Sequence, residues 1–176
     1  QSLLKVLEEV PEITYVGNPV LRTPAEKVSL EEGLAIGKRL EAALLKYRSI
    51  TGIGRGLAAP QVGEGKAVFV TYIDSVAELF INPSISEKSG STNLYKELCI
   101  SAGLAAADVE RPEWIVLEWT DVTGARRSEK FDGFKARLLQ HEEAHLRGHV
   151  NVDDAVPRGI ELLTFDPLKE QLRPSH

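Results

Sequence analysis

The chain has 176 residues, 43% of them hydrophobic and 27% charged, which suits one globular domain over 1–176 with a sizeable core. A net charge of -5 and a pI near 5.5 argue against a nucleic-acid binder held by phosphate contacts, and no apolar run is long enough to point to membrane insertion. A single Cys permits no internal disulfide, fits a reducing compartment and leaves its thiol free for a metal.

No secretory leader is apparent, so export is not expected. The absence of any Met, a starter included, leads us to expect sequence upstream. A cytoplasmic location is the expectation, or an organellar one if a targeting segment has been removed. Within residues 1–28, Ile13-Thr14-Tyr15-Val16 reads as a strand, Gly17-Asn18-Pro19 as a turn, and the rest as an irregular wrap over the surface. Ser29 to Glu32 looks like a capping box, after which Leu30, Leu34, Gly37, Leu40 and Leu44 recur at helical spacing until Thr51-Gly52.

The run 52–63 is rich in small residues, so backbone can approach a ligand closely there, although a turn-rich loop without function is an equal reading. It follows a helix and lacks a Lys-Ser/Thr ending, which counts against a nucleotide site. Residues 66–72 and 79–82 read as strands, with Pro83 a break. A strand is expected over 94–101 and a loop over the Ala-rich 102–108. Residues 113–119 and 126–131 form the strands of a hairpin turning at Asp121-Val122-Thr123-Gly124. Asp132-Gly133 opens a helix that Gly148 closes. From Asn151 onward Pro157, Gly159, Pro167 and Pro174 leave room for a short strand and a loose or weakly helical end, with 156–176 a C-terminal tail.

The chemistry centres on His141-Glu142-Glu143-Ala144-His145. On a helix, His141 and His145 lie one turn apart on one face and can hold a single metal ion with Glu142 beside it. A divalent metal lowers the pKa of its water from ~15.7 toward ~7, and a neighbouring carboxylate can take and return the proton, so hydrolysis of an amide or ester is the natural reaction. The pattern needs a third ligand. The long metalloprotease motif wants a His where Asn151 stands, and Glu161 or Glu170 is supported by no further motif. Cys99 offers a better answer, although a lone Cys in an apolar strand is more often a small buried hydrophobe.

Three separated stretches, in order, resemble the peptide deformylases, which remove the formyl group from the N-terminal formylmethionine of new chains. They are Gly54-Arg55-Gly56-Leu57-Ala58-Ala59-Pro60-Gln61, Glu97-Leu98-Cys99-Ile100-Ser101 and His141 to His145. Softer similarity runs over about residues 13–155. The resemblance implies an α+β fold with antiparallel sheets around a central metal-binding helix. It implies Cys99, His141 and His145 as ligands of one divalent ion, Fe2+ or Zn2+, and Glu142 as general acid/base. Gln61 and the backbone N–H of Ile100 would stabilise the oxyanion, and Gly56 would pair with an extended N-formylated peptide or nascent chain. No nucleic acid or membrane partner is implied, and oligomeric state is not inferable.

The surroundings depart from the family pattern. Leu98 replaces the Gly before the Cys, whose backbone lines the substrate groove. Arg55 and Arg137 stand where the family has aliphatic residues against the methionine side chain, and Ala144 replaces an Asp whose usual partner, Arg111, remains. Arg55, Gly56, Leu98 and Arg137 are therefore the substrate-binding candidates, and an altered or reduced activity on formyl-Met substrates is expected. The alternatives are a non-catalytic relative whose structural metal supports a peptide- or protein-binding groove, and, third, a conventional zinc protease.

Overall fold

The computed structural model describes residues 2–163. Its elements in chain order are α1 (Ser2–Glu9), α2 (Leu30–Thr51), β1 (Gly56–Ala58), β2 (Val68–Ile73), β3 (Val76–Lys88), β4 (Thr92–Leu98), β5 (Ala105–Pro112), β6 (Trp114–Thr120), β7 (Arg126–Asp132), α3 (Gly133–Leu146) and β8 (Ala155–Leu162). Short 3-10 turns occupy Pro19–Arg22, Ala59–Val62, Ile100–Ala102 and Asn151–Asp153. Two antiparallel sheets form, one in the order β1-β2-β3-β6-β7 and one in the order β4-β5-β8. Helix α3 touches β1 and β2 of the larger sheet and β5 of the smaller, so it lies between them, as expected of the α+β arrangement.

The period-2 alternation of strands divides the core. Leu57, Val68 and Val70 face α1 and α2, packing with Val6, Val10, Ile36, Leu40 and Leu44. Their neighbours Ala58 and Phe69 face the opposite side and join Phe80, Trp119, Phe131, Ala136 and Leu139 under α3. Phe69 stacks on Phe80 with centroids 4.8 Å apart, and Phe80 in turn meets Trp119 at 5.1 Å. Burying a Phe of this kind contributes about 1.5–3 kcal/mol, so this aromatic row holds the sheet to α3.

Helix α2 begins where expected, with the Ser29 hydroxyl accepting from the Glu32 N–H at 3.2 Å. Its buried stripe is rotated from the expected one: Gly33, Ile36, Gly37, Leu40, Ala43 and Leu44 are buried, whereas Leu30 is exposed. The hairpin of β6 and β7 turns where expected, with Asp121 accepting from the N–H of Thr123 and Ala125.

Four expectations are corrected. The first 28 residues hold helix α1, with Val6 and the following Val10 as buried knobs, while residues 13–16 belong to no strand, Thr14 and Val16 bonding instead to the backbone of Gln61 and Ser101. Pro83 does not break a strand: β3 runs through it, because a bulge with Asn82 at φ 48° removes the need for a ladder N–H there. The Ala-rich stretch is the middle strand β5, in which Ala106 and Ala107 are fully buried, so packing overrides the low strand preference of Ala. The boundary drawn at 156 falls inside β8, which completes the smaller sheet, while the end expected to be loose or weakly helical lies, beyond 163, outside the described residues.

Candidate active site

Helix α3 carries the two imidazoles. Asp132 precedes it in extended conformation without a side-chain cap bond, and Gly148 at φ 85° follows it, its Cα so close to the Arg22 backbone (2.9 Å from a Cβ position) that only Gly fits. One turn apart, the His141 and His145 rings stand with centroids 5.0 Å apart and nearly perpendicular. The strand β4 ends at Leu98 and delivers Cys99 just before the 3-10 turn, with Cys99 Sγ 3.5 Å from His145 Nε2. One ligand atom from each of Cys99, His141 and His145 lies within 4.8 Å of the others, and all three residues are deeply placed.

The donor set fits a divalent ion. A thiolate and two imidazoles suit zinc or ferrous iron, and three protein ligands leave a position open in a tetrahedral site. The electrostatics agree. Burial alone disfavours a charged His141, but Cys99 and Glu97 outweigh it and hold the His141 pKa well above the ordinary value, so the cluster favours positive charge at this spot. Burial, with the charges of His141 and Arg111, pushes His145 the other way, leaving it neutral.

Glu142 projects beside this cluster, 2% exposed, and its Oε2 has no hydrogen-bond partner among the described residues. Burial pushes its pKa up to about 7. Gly56 in β1 makes this placement possible: a Cβ there would lie 2.7 Å from Glu142 Cδ and overlap the carboxylate. Gln61 is equally buried. Its Oε1 accepts from the Ala58 N–H at 2.9 Å, which turns its Nε2 toward Ser101 Oγ at 3.2 Å and Cys99 Sγ at 3.6 Å. Ile100 opens the turn after Cys99 and packs its side chain on the first apolar cluster. Thr14 and Val16 hold these loops together, through Thr14 N–H to Gln61 O at 2.8 Å and Val16 N–H to Ser101 O at 2.9 Å.

A residue not among the expected site positions organises the cluster. Glu97, two places before Cys99, is 7% exposed and receives three cationic partners. Arg111 binds it bidentately at 2.7 and 2.8 Å, and Glu97 Oε1 is 2.8 Å from His141 Nδ1, a bond that fixes the ring and leaves Nε2 for the side facing Cys99. Arg111 and His141 hold the Glu97 carboxyl far below the usual range despite its burial. An acid two residues before the Cys of the second motif, on a strand that is otherwise mostly exposed, was the available signal. The same arrangement explains Arg111 without an Asp at 144: its charge is met by Glu97, with Asp154 Oδ2 3.8 Å away.

Two substrate-binding candidates are placed differently from the sequence reading. Arg137 lies on the ligand face of α3 but is no unpaired cation. Its Nη2 sits 3.1 Å from Glu97 Oε2, and its guanidinium donates to Asn93 Oδ1 at 2.9 Å, to Tyr95 O at 3.1 Å and to Val109 O, stitching α3 to β4 and β5. Glu97 supplies the partner that burial demands. Leu98 alternates with Glu97, so its side chain leaves on the opposite face of β4 and finds room across from the small Ala106. Arg55, next to Gly56, is exposed, and its guanidinium lies over the Phe134 ring at 4.6 Å.

A sequence model described as polypeptide deformylase matches residues 10–160. The peptide deformylase of Prochlorococcus marinus (strain MIT 9515) is 40% identical over 155 residues, covering 85% of this chain and 75% of that protein. That of Treponema pallidum (strain Nichols) is 35% identical over 166 residues, 92% of this chain and 99% of the relative. Among solved structures, a peptide deformylase from Synechococcus elongatus in complex with actinonin aligns with a TM-score of 0.73 at 35% identity, over 83% of this chain and 79% of that one. The peptide deformylase from Thermotoga maritima aligns with the same TM-score at 33% identity, over 82% and 97%. With matching motifs, fold and metal-ligand cluster, the chain belongs to the polypeptide deformylase family and is a metallohydrolase of that kind.

Proposed function

We propose that this protein removes N-formyl groups from peptides with an altered preference, formyl-Met peptides being weaker substrates than for an ordinary member of its family. The observation that carries the hydrolytic part is the buried triangle of Cys99, His141 and His145 beside a Glu142 oxygen without a hydrogen-bond partner among the described residues. These three residues would hold one divalent ion, iron or zinc, which would supply a Lewis acid and lower the pKa of water at the site. Glu142 takes the proton of the attacking water and returns it to the leaving amine, and its burial keeps its pKa near the working pH for that exchange.

Gln61 Nε2, aimed by the Ala58 N–H on its other end, and the N–H of Ile100 receive the negative charge that builds on the formyl oxygen. Gly56 lies in β1 at the edge of the larger sheet, where an extended peptide can add its backbone beside Glu142. The altered preference is supported by Arg55, which stays exposed beside Gly56 with its guanidinium over the Phe134 ring.

The test is formate release from formyl-Met-Ala-Ser by the iron- or zinc-loaded protein, with Glu142→Gln as control. We expect measurable turnover, and a variant that keeps its metal but loses about 10²–10⁴-fold in rate. No release from any formyl peptide would favour the reading as a non-catalytic peptide-binding relative.

A further inference from the structure

We infer that Arg55 forms an anion-binding subsite, so that the substrates this protein prefers carry an acidic side chain on the formylated residue. This rests on the hydrolytic reading above. The residue is set by its neighbours on both sides: Gly56, next in the chain, lies against Glu142, while the Arg55 carbonyl accepts from the Tyr72 N–H at 2.8 Å. Arg48 donates to the Gly54 carbonyl and stacks over Tyr72, so the backbone around Arg55 is tied down.

The side chain is oriented as well. The Arg55 guanidinium lies 4.6 Å from the centroid of Phe134, a residue of α3 that is itself 51% exposed. Phe134 is seven residues before His141, two turns up the same face and roughly 10 Å along the axis. Stacking on a ring occupies one face of a guanidinium and leaves its N–H edges free. Among the described residues no carboxylate lies within 4.0 Å of Arg55, in contrast to Arg111, Arg137 and Arg147, each of which has an acid within that distance.

The site therefore presents an oriented cation without a partner, one residue along from the Gly that touches Glu142 and two helical turns from the ligands. A substrate whose amide lies at Glu142 can send its first side chain along the α3 face toward Phe134. There a carboxylate gains charge-assisted bonds from Arg55, while an aliphatic or thioether side chain gains none and displaces water from the cation.

The experiment compares formyl-Glu-Ala-Ser with its uncharged isostere formyl-Gln-Ala-Ser, and with formyl-Met-Ala-Ser, on the zinc-loaded wild type and Arg55→Gln. In the wild type kcat/KM should favour Glu over Gln by about tenfold. The preference should shrink as salt is raised, and it should fall to within about twofold in Arg55→Gln. Equal use of Glu and Gln by the wild type, or a preference that survives Arg55→Gln, overturns the subsite and leaves the hydrolase reading standing. Absence of turnover with every peptide overturns the hydrolase reading instead. The subsite is then judged by calorimetric binding of the same peptides to zinc-loaded wild type, where equal Kd values for Glu and Gln overturn it and about tenfold tighter binding of Glu supports it.

Discussion

Replacing Arg137 by Leu tests whether the smaller sheet is fastened to the metal helix through this side chain. Its side chain, 12% exposed, contacts Glu97, Asn93, Tyr95 and Val109, so its loss removes one charge partner and bares several acceptors of β4 and β5. Removing one member of a buried ion pair costs about 3–5 kcal/mol when the other is left alone. Here Glu97 keeps Arg111 and His141, which lowers the charge part, and the acceptors released on Asn93, Tyr95 and Val109 sit in part-buried or exposed bonds, so each adds about 1 kcal/mol or less. We expect a net loss of about 2–4 kcal/mol for Arg137→Leu. Urea unfolding at fixed zinc concentration measures it, as a fall in midpoint at unchanged m-value. Arg111→Leu, which strips a bidentate partner from Glu97, should cost at least as much. A change of less than about 0.5 kcal/mol in Arg137→Leu, the range of ordinary surface substitutions, would refute the reasoning and return Arg137 to the substrate pocket.

Cys99→Ala should lose most of its bound metal, measured by elemental analysis after gel filtration, because two imidazoles remain where three donors converge; full occupancy would remove Cys99 from the ligand set. Gly56→Ala should fold with little loss of stability yet lose turnover on formyl peptides by about tenfold or more, since the added methyl displaces the Glu142 carboxylate. Burial, reinforced by the charges of Tyr15 and Cys99, pushes the Tyr47 phenol up to about 12. The neutral form is the favoured one, so its contribution to stability is complete below about pH 10 and is lost as pH rises through about 12. Tyrosinate absorbance should show a late-titrating component that Tyr47→Phe removes.

The motifs were legible because their chemistry is local. A His pair at helical spacing needs no knowledge of the rest of the chain to present both rings on one face, and the structure places them so. Helix α2, the β6–β7 hairpin and the end of α3 at Gly148 were legible for the same reason, each being marked by caps or turn residues within a few positions. Strand β5 was not, because Ala106 and Ala107 carry no strand signal of their own; they are in a strand because β4 and β8 flank them and the space is small. Pro83 misled in the opposite direction, since whether a missing N–H matters depends on the partner strand and its bulge.

The sequence by itself determined which side chains could hold a metal and move a proton, together with the order in which they enter the fold. Tertiary structure decided how the charges around them pair. Arg137 and Arg55 look alike along the chain, one residue type in two positions expected to be aliphatic. Packing brings the first within 3.1 Å of Glu97 and leaves the second stacked on an exposed ring, with no acid within 4.0 Å among the described residues. Ion pairing depends on distances of a few ångströms between elements 14 to 44 residues apart in sequence. No local pattern encodes such distances, and only the assembled sheets and helix bring Glu97, Arg111, Arg137 and His141 together.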